Sequence, residues 1–320
     1  MMKRILLLSL LLASNALAQG FPNRPIRLIV PWPPGQATDL ATRNVGERVA
    51  PALGPPRVVD NRAGAAGQIG TEAVVRSAPD GYTLLAASSG PISINPLLAK
   101  LPYDVDTQLM PIANIGIIPF VHVVPAALPA NTLAEFVKLA RANPGRYSFA
   151  SSGTGATAHL IAEAFNIGAG IQAVHVPYRG SSPSITDLIA GQTQYTTETM
   201  AAVLPHVKSG KLRALGVSSG RRSQAMPDVP TIAEGAGIAG FDMVAWIGYM
   251  AASGTPREIA QRLAAETERA LAAPDIRERL AAIGLDPDPR GTEQFGAYLK
   301  AQKDSFRRII ERANIKLEPS

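Results

Sequence analysis

The chain has 320 residues, 46% hydrophobic, 5% aromatic and none of them cysteine. That is enough apolar material for one large core or two ordinary ones; it excludes disulfides, thiolate metal sites, thiol nucleophiles and the aromatic platforms that hold single-stranded nucleic acid. The formal charge of +6 is scattered, its densest groups being pairs such as Arg221-Arg222 and Arg307-Arg308, which suits solubility and the attraction of small anions better than a nucleic-acid face.

Lys3-Arg4, an apolar run over 5–12 broken only by Ser9, and the small-x-small triplet Ala16-Leu17-Ala18 follow in the order of a secretory leader. Residues 1–18 therefore read as a signal peptide. The run is too short to span a hydrocarbon core of roughly 30 Å. The mature chain is expected to start near Gln19, to be exported, and to carry no lipid, since it has no cysteine to acylate.

Strand and helix signals then alternate. Residues 26–30 form a short β-branched strand closed by Pro31, and Pro33-Pro34-Gly35 is a turn. Residues 37–50 read as a helix with Thr38 or Asp39 able to cap it. A strand at 57–59, a Gly/Ala loop at 61–67, a helix at 69–77, the turn Pro79-Asp80-Gly81 and a strand at 82–87 complete the first series. Alternation of this length predicts a parallel sheet with helices on its faces and ligands at the carboxyl ends of its strands.

Residues 109–130 lack Asp, Glu, Lys and Arg but contain four prolines, which would break a spanning helix repeatedly, so they read as buried strand and loop. A strand at 120–124 opens a second series. It continues with a helix at 132–143 carrying the capping-box pair Thr132 and Glu135, a strand at 147–150, and a helix at 156–167. A strand at 174–176, a helix at 183–190, a strand-like run at 194–197 and a strand at 212–218 follow. A strand-like run at 243–251 and helices near 256–272, 275–283 and 292–313 close the chain.

Four loops share one property: each follows a strand, is built from small polar residues, and opens a helix. They are 35–38, 88–90, 151–155 and 179–182. Free N–H groups of a first helical turn carry partial positive charge, and small residues let a ligand approach them. A carboxylate can be held there without a formal cation. The same residues also make ordinary capped turns, and both readings stand at this point. Gly153 to Ala158 matches a loose dinucleotide fingerprint, but the following strand ends in Val176-Pro177-Tyr178 without the required acid. The four histidines are dispersed and give no metal spacing, and no serine sits in a nucleophile elbow. His159, one turn into its helix, can brace the 151–155 loop or touch ligand. Glu198 is either a selector of a ligand ammonium or a solvated strand end.

Longer segments match a family. Pro22-Asn23-Arg24-Pro25-Ile26-Arg27-Leu28-Ile29-Val30-Pro31, Asn61-Arg62-Ala63-Gly64-Ala65-Ala66-Gly67, Ala78-Pro79-Asp80-Gly81-Tyr82 and Ser151-Ser152-Gly153-Thr154-Gly155 with His159 come in order. Val176-Pro177-Tyr178-Arg179-Gly180, Lys208-Ser209-Gly210-Lys211-Leu212 and Pro227-Asp228-Val229-Pro230 complete the set. With these segments the chain resembles the Bug receptors, the extracytoplasmic solute-binding proteins of tripartite tricarboxylate transporters. The resemblance implies an α/β, two-lobed Venus-flytrap periplasmic binding protein fold with a central cleft. The lobes would be 19–118 with 226–320, and 119–225. It implies binding of a small carboxylate without catalysis, no cofactor or metal, a monomer, and membrane permease subunits as partners.

The expected contacts are Gly35, Gln36, Thr38 and Asp39, then Ser88 and Ser89, from the first lobe. Ser151, Ser152, Thr154, Gly155, Thr157, His159, Tyr178, Arg179, Gly180 and Glu198 would come from the second. Asp39 would cap or hold a water, while Tyr178 and Glu198 would set specificity. Departures from the family pattern lie partly around the expected site. Gln36 stands where glycine is usual, Gln108, Gln194 and Glu198 where aspartates are common, and Thr196 and Thr197 where larger apolar residues are. A sensory receptor of the same fold, or an exported hydrolase using Ser151 or Ser152, are the other functions this sequence admits.

Overall fold

The computed structural model describes residues 20–54 and 57–317; the expected signal peptide lies outside them. The chain builds two sheets. The first series gives β1 (Arg27–Val30), α1 (Ala37–Leu53), β2 (Val58–Asn61), α2 (Gln68–Val75) and β3 (Thr83–Ser88). Two short helices follow, α3 (Asn95–Leu98) and α4 (Val105–Gln108), then β4 (Leu109–Ile118). The second series is β5 (Phe120–Pro125), α5 (Leu133–Arg141), β6 (Tyr147–Ser151), α6 (Thr157–Ala169), β7 (Ala173–Pro177) and α7 (Ser181–Ile189), then β8 (Tyr195–Thr199), α8 (Met200–Lys208) and β9 (Leu212–Val217). The chain ends with α9 (Ile232–Ala236), β10 (Ala245–Ala252), α10 (Arg257–Ala272), α11 (Pro274–Ala282), β11 (Asp286–Arg290) and α12 (Thr292–Arg312).

The first sheet has the order β11-β4-β10-β3-β1-β2 and the second β7-β6-β8-β5-β9. Strands β2, β1 and β3 are parallel, with Leu28 opposite both Val59 and Leu84. Both sheets nevertheless depart from the all-parallel expectation. Strand β10 runs antiparallel to β3 and β4, and β5 runs antiparallel to β8 and β9. Those strands carry the chain between lobes, so they enter each sheet from the hinge side.

Burial on both faces explains the apolar runs. In β1, Leu28 and Val30 join Val45, Val49 and Tyr249 on the face covered by α1 and α10, while Ile29 joins Val74, Trp246 and Phe295 on the other. In β5, Val121 and Val123 face Leu188 and Val203, and Phe120 and Val124 face Phe136 and Phe149. Period-2 alternation thus feeds two cores per sheet.

Only Pro119 separates β4 from β5. The return crossing is stitched to it: Phe120 N–H donates to Ser218 Oγ at 2.9 Å, Ser218 N–H to Phe120 O at 2.8 Å, and Met243 N–H to Ser218 O at 2.9 Å. Residues 226–243, grouped from sequence with the first lobe, pack on the second. Helix α9 lies on α5 and β9, and Phe241 and Met243 enter the same core as Phe149. Phe306 and Ile310 of α12 and Ile315 beyond it reach that core too, so the last helix spans both lobes.

Several elements were not foreseen. Strand β11 contains Pro287 and Pro289 and pairs only with β4, an edge position where a missing N–H is tolerated. Helices α3, α4, α8 and α9 are short; α4, α8 and α9 lie against the sheets, and α3 packs on the turn of helix just before it. At α5, Thr132 Oγ1 accepts from Glu135 N–H at 3.1 Å, but Glu135 reaches Asn131 N–H rather than closing the box on Thr132. The complete capping box belongs to Thr231 and Glu234.

Gly248 lies where β10 meets α12. A Cβ there would stand 2.7 Å from Ala113 O and 2.7 Å from the Phe295 ring. Gly248→Ala is expected to destabilise the fold by about 1–3 kcal/mol, read as a lower denaturant midpoint at unchanged slope.

His122 is fully buried among Phe136, Phe165 and Tyr195, and burial pushes its pKa down to about 3. The unfolded chain takes a proton near pH 6.5 that the folded chain refuses, so stability is lost as pH falls from about 6.5 towards 3. Scanning calorimetry of His122→Phe should show a smaller drop in Tm between about pH 7 and pH 4 than the parent protein.

Candidate functional site

One cavity of ≈ 620 Å³ opens between the sheets, at the carboxyl ends of β1, β3, β6 and β8. The first lobe contributes Trp32, Gln36, Thr38, Ser88, Ser89, Ile94, Asn95 and Leu98. The second contributes Phe120, Ser152, Thr154, Gly155, Thr157, Ser181 and Glu198, and Leu317 closes one edge. Among the described residues the wall holds no Lys, Arg or His.

Helix α1 begins at Gln36, whose backbone is extended and whose side chain makes no capping bond. Neither Thr38 nor Asp39 is the cap that the sequence pattern pointed to; both lie inside the first turn. Asp39 reaches back instead: its Oδ2 accepts the Gly35 N–H at 2.9 Å, and its carboxylate is gripped by Arg43 at 3.0 Å and Asn61 Nδ2 at 2.9 Å. Burial alone would raise the Asp39 pKa, but the donors from Arg43, Gly35 and Asn61 outweigh it and hold the carboxyl below its ordinary value. Asn61 also donates to Trp32 O at 3.0 Å, and Trp32 Nε1 donates to Ser88 Oγ at 3.0 Å. Asp39 is thus the anchor of this wall, set behind the cavity, while Thr38 faces it.

Helix α6 begins at Ala156, which has no side-chain cap, so the N–H groups of its first turn are open. The loop before it passes through Gly153 at φ 139° and Gly155 at φ 76°. The positive φ requires glycine at 155, whereas a Cβ there would meet only the movable tips of Leu98 at 2.8 Å and Leu317 at 3.0 Å. The neighbouring loop is tied on by Tyr178 N–H to Ser151 O at 3.0 Å and Gly180 N–H to Ser152 O at 3.2 Å. Gly180 in turn is the uncapped start of α7.

Two imidazoles hold the loop from behind. Ser151 Oγ is 2.7 Å from His175 Nε2, and the His175 ring stacks on His159 with centroids 3.7 Å apart and an 8° tilt. His159 Nδ1 accepts the Gly155 N–H at 3.1 Å, which places its ring proton on Nε2, facing Glu163 at 3.7 Å. Burial, then the neighbouring His159, pushes His175 down to about 4. Both ends of the loop are therefore pinned by one stacked pair.

Of the residues singled out from sequence, Gln36, Thr38, Ser88, Ser89, Ser152, Thr154, Gly155, Thr157 and Glu198 stand in the wall. Asp39, Ser151 and His159 are buried behind it, and Gly35 is exposed outside it. Tyr178 turns its hydroxyl to Asp187 at 2.8 Å, and Arg179 and Gly180 stay outside the wall. Trp32, Ile94, Leu98, Phe120 and Leu317 were missed. Trp32 sits inside the Pro31–Pro34 turn and could have been read with it; Leu317, more than 150 residues from Gly155 in sequence, had no signal.

His159→Asn keeps an acceptor near the Nδ1 position, whereas His159→Phe keeps the ring and loses the acceptor. Exchange of the Gly155 amide should speed up by about tenfold in the Phe variant and stay near the parent rate in the Asn variant. The reverse order would make His159 a packing residue only.

The family model for the tripartite tricarboxylate transporter family receptor (TctC) matches residues 41–315. The protein BugT of Bordetella pertussis is 37% identical over 309 residues, 96% of this chain and 94% of its own. A structure of a periplasmic transporter is 36% identical with a TM-score of 0.77, covering 93% of this chain and all of that one. Rpa4515 of R. palustris, solved with adipate, is 30% identical with a TM-score of 0.77 over 92% of this chain and 99% of its own. By sequence and by fold, the chain belongs to the tripartite tricarboxylate transporter receptor family, the Bug receptors.

Proposed function

We propose that this protein is a periplasmic receptor that captures a small organic carboxylate in its cleft and delivers it to the membrane permease of a tripartite tricarboxylate-type transporter. The observation that carries the reading is the pair of uncapped helix starts, α1 at Gln36 and α6 at Ala156, which belong to different sheets and open onto one cavity. Partial positive charge from both lobes favours an anion, and the absence of a cation from the described wall leaves backbone amides and the hydroxyls of Thr38, Ser152, Thr154 and Thr157 as its ligands. A relative of similar fold, Rpa4515, was solved with adipate.

The binding cycle is reversible and needs no bond to break. The two sheets with the helices packed on them turn about the crossing at Pro119 and Ser218, residues 226–243 moving with the second lobe on which they pack. Closure excludes water and strengthens each amide contact as the local dielectric falls. Ser151, the serine paired with a histidine, is fully buried behind the wall, an arrangement that supports loop positioning over acyl transfer.

A thermal-shift screen of the mature chain over mono-, di- and tricarboxylates, aromatic acids and amino acids should find at least one acid that raises Tm. Thr154→Val should weaken that acid by about 1–3 kcal/mol, roughly five- to 150-fold in Kd, because an acceptor in the closed cleft loses its donor. Indifference to every acid offered would end this reading.

A further inference from the structure

Glu198 is the charged side chain in the described cleft wall, and it is 1% exposed. It stands at the carboxyl end of β8, opposite Val121 of β5. Its Oε2 accepts the Thr199 N–H at 3.0 Å. Its Oε1 is buried and completes no hydrogen bond, although the Ser181 and Ser152 hydroxyls lie near enough to favour the charged carboxylate. A solvated strand end is therefore excluded. Burial pushes the carboxyl above its ordinary range, against the opposing pull of the Thr199 amide and the Ser181 and Ser152 hydroxyls. A buried carboxylate oxygen without a completed hydrogen bond is costly, and it faces a cavity from which a ligand donor could reach it.

We propose that Glu198 selects, among organic acids, those that carry a hydrogen-bond donor beside the carboxylate, an ammonium ahead of a hydroxyl, by presenting Oε1 to that donor in the closed cleft. The inference rests on the carboxylate-receptor reading and narrows it. The helix starts offer partial charges only. A plain dicarboxylate next to ionised Glu198 would gather three negative charges in one cavity whose described wall has no cation. An amino acid brings its own cation, and the charge-assisted N–H to Oε1 bond is the stronger kind. Trp32, Ile94, Leu98 and Phe120 leave an apolar side of the cavity for the rest of such a ligand.

Isothermal titration of the mature chain with two matched series tests this: aspartate, malate and succinate, and phenylalanine, 3-phenyllactate and 3-phenylpropanoate. The parent protein should rank ammonium over hydroxyl over hydrogen within at least one series, with about tenfold or more in Kd from hydrogen to ammonium. Glu198→Gln should flatten that step while the ligand-free protein still melts in one cooperative transition. Glu198→Asp, which retains the charge on a shorter arm, should weaken binding but keep the order. A flat order in the parent protein, or an order untouched in Glu198→Gln, overturns the role of Glu198 and leaves the receptor reading standing. Uptake of about one proton on binding succinate or 3-phenylpropanoate, with these the tightest of their series, also overturns it, since Glu198 would then be a neutral donor. Silence towards both series and every other carboxylate overturns the receptor reading and this role with it.

Discussion

The structure turns on one constraint: backbone N–H groups at the start of a helix must find acceptors. Helices α5 and α9 answer it with their own threonines, Thr132 and Thr231. Helices α1, α6 and α7 do not, having Gln36, Ala156 and Gly180 where a capping side chain would stand. Their donors remain free at the mouth of a cavity. What would be an ordinary defect in one helix becomes a binding device when α1 and α6 start on opposite walls.

That device requires stiff loops, because an amide that wanders has no fixed direction to offer. Each wall solves the problem with charge or ring stacking placed out of ligand reach. On the first wall, Asp39 ties Gly35, Arg43 and Asn61 into one unit, and Asn61 passes the restraint to Trp32. On the second, stacked His175 and His159 clamp Ser151 and Gly155, the two ends of one turn. Groups that titrate are thus used for positioning on both walls, and the proposed anion would meet neutral amides and hydroxyls. Such a site loses little to salt screening and exacts no large desolvation of a buried cation.

Much of this was legible in the chain. The β-branched runs at 26–30 and 120–124 and the small-residue loops after them gave the strands, the helices and the cleft-facing turns, because local period and turn chemistry are set by near neighbours. The misses have a common cause. Strand β11, with Pro287 and Pro289, is a strand only because β4 offers an edge. The antiparallel β10 and β5 take their direction from where the chain crosses between lobes, a global property. Likewise Asp39 reads as a helix cap until Arg43 and Asn61 are seen around it, and Leu317 joins the wall only because α12 carries it there. Tyr178 lay in the right loop, yet its hydroxyl is claimed by Asp187 nine residues on.

Glu198 sharpens the same distinction. From sequence it was a carboxylate at a strand end, and strand ends are usually wet. In the fold, β8 is the middle strand of its sheet, flanked by β6 and β5, so its carboxyl end is carried into the cavity rather than to the surface. Centrality in the sheet, not side-chain chemistry, turns a solubilising acid into a buried one. Once buried, an acid with one oxygen unmade favours any neighbour that brings a donor.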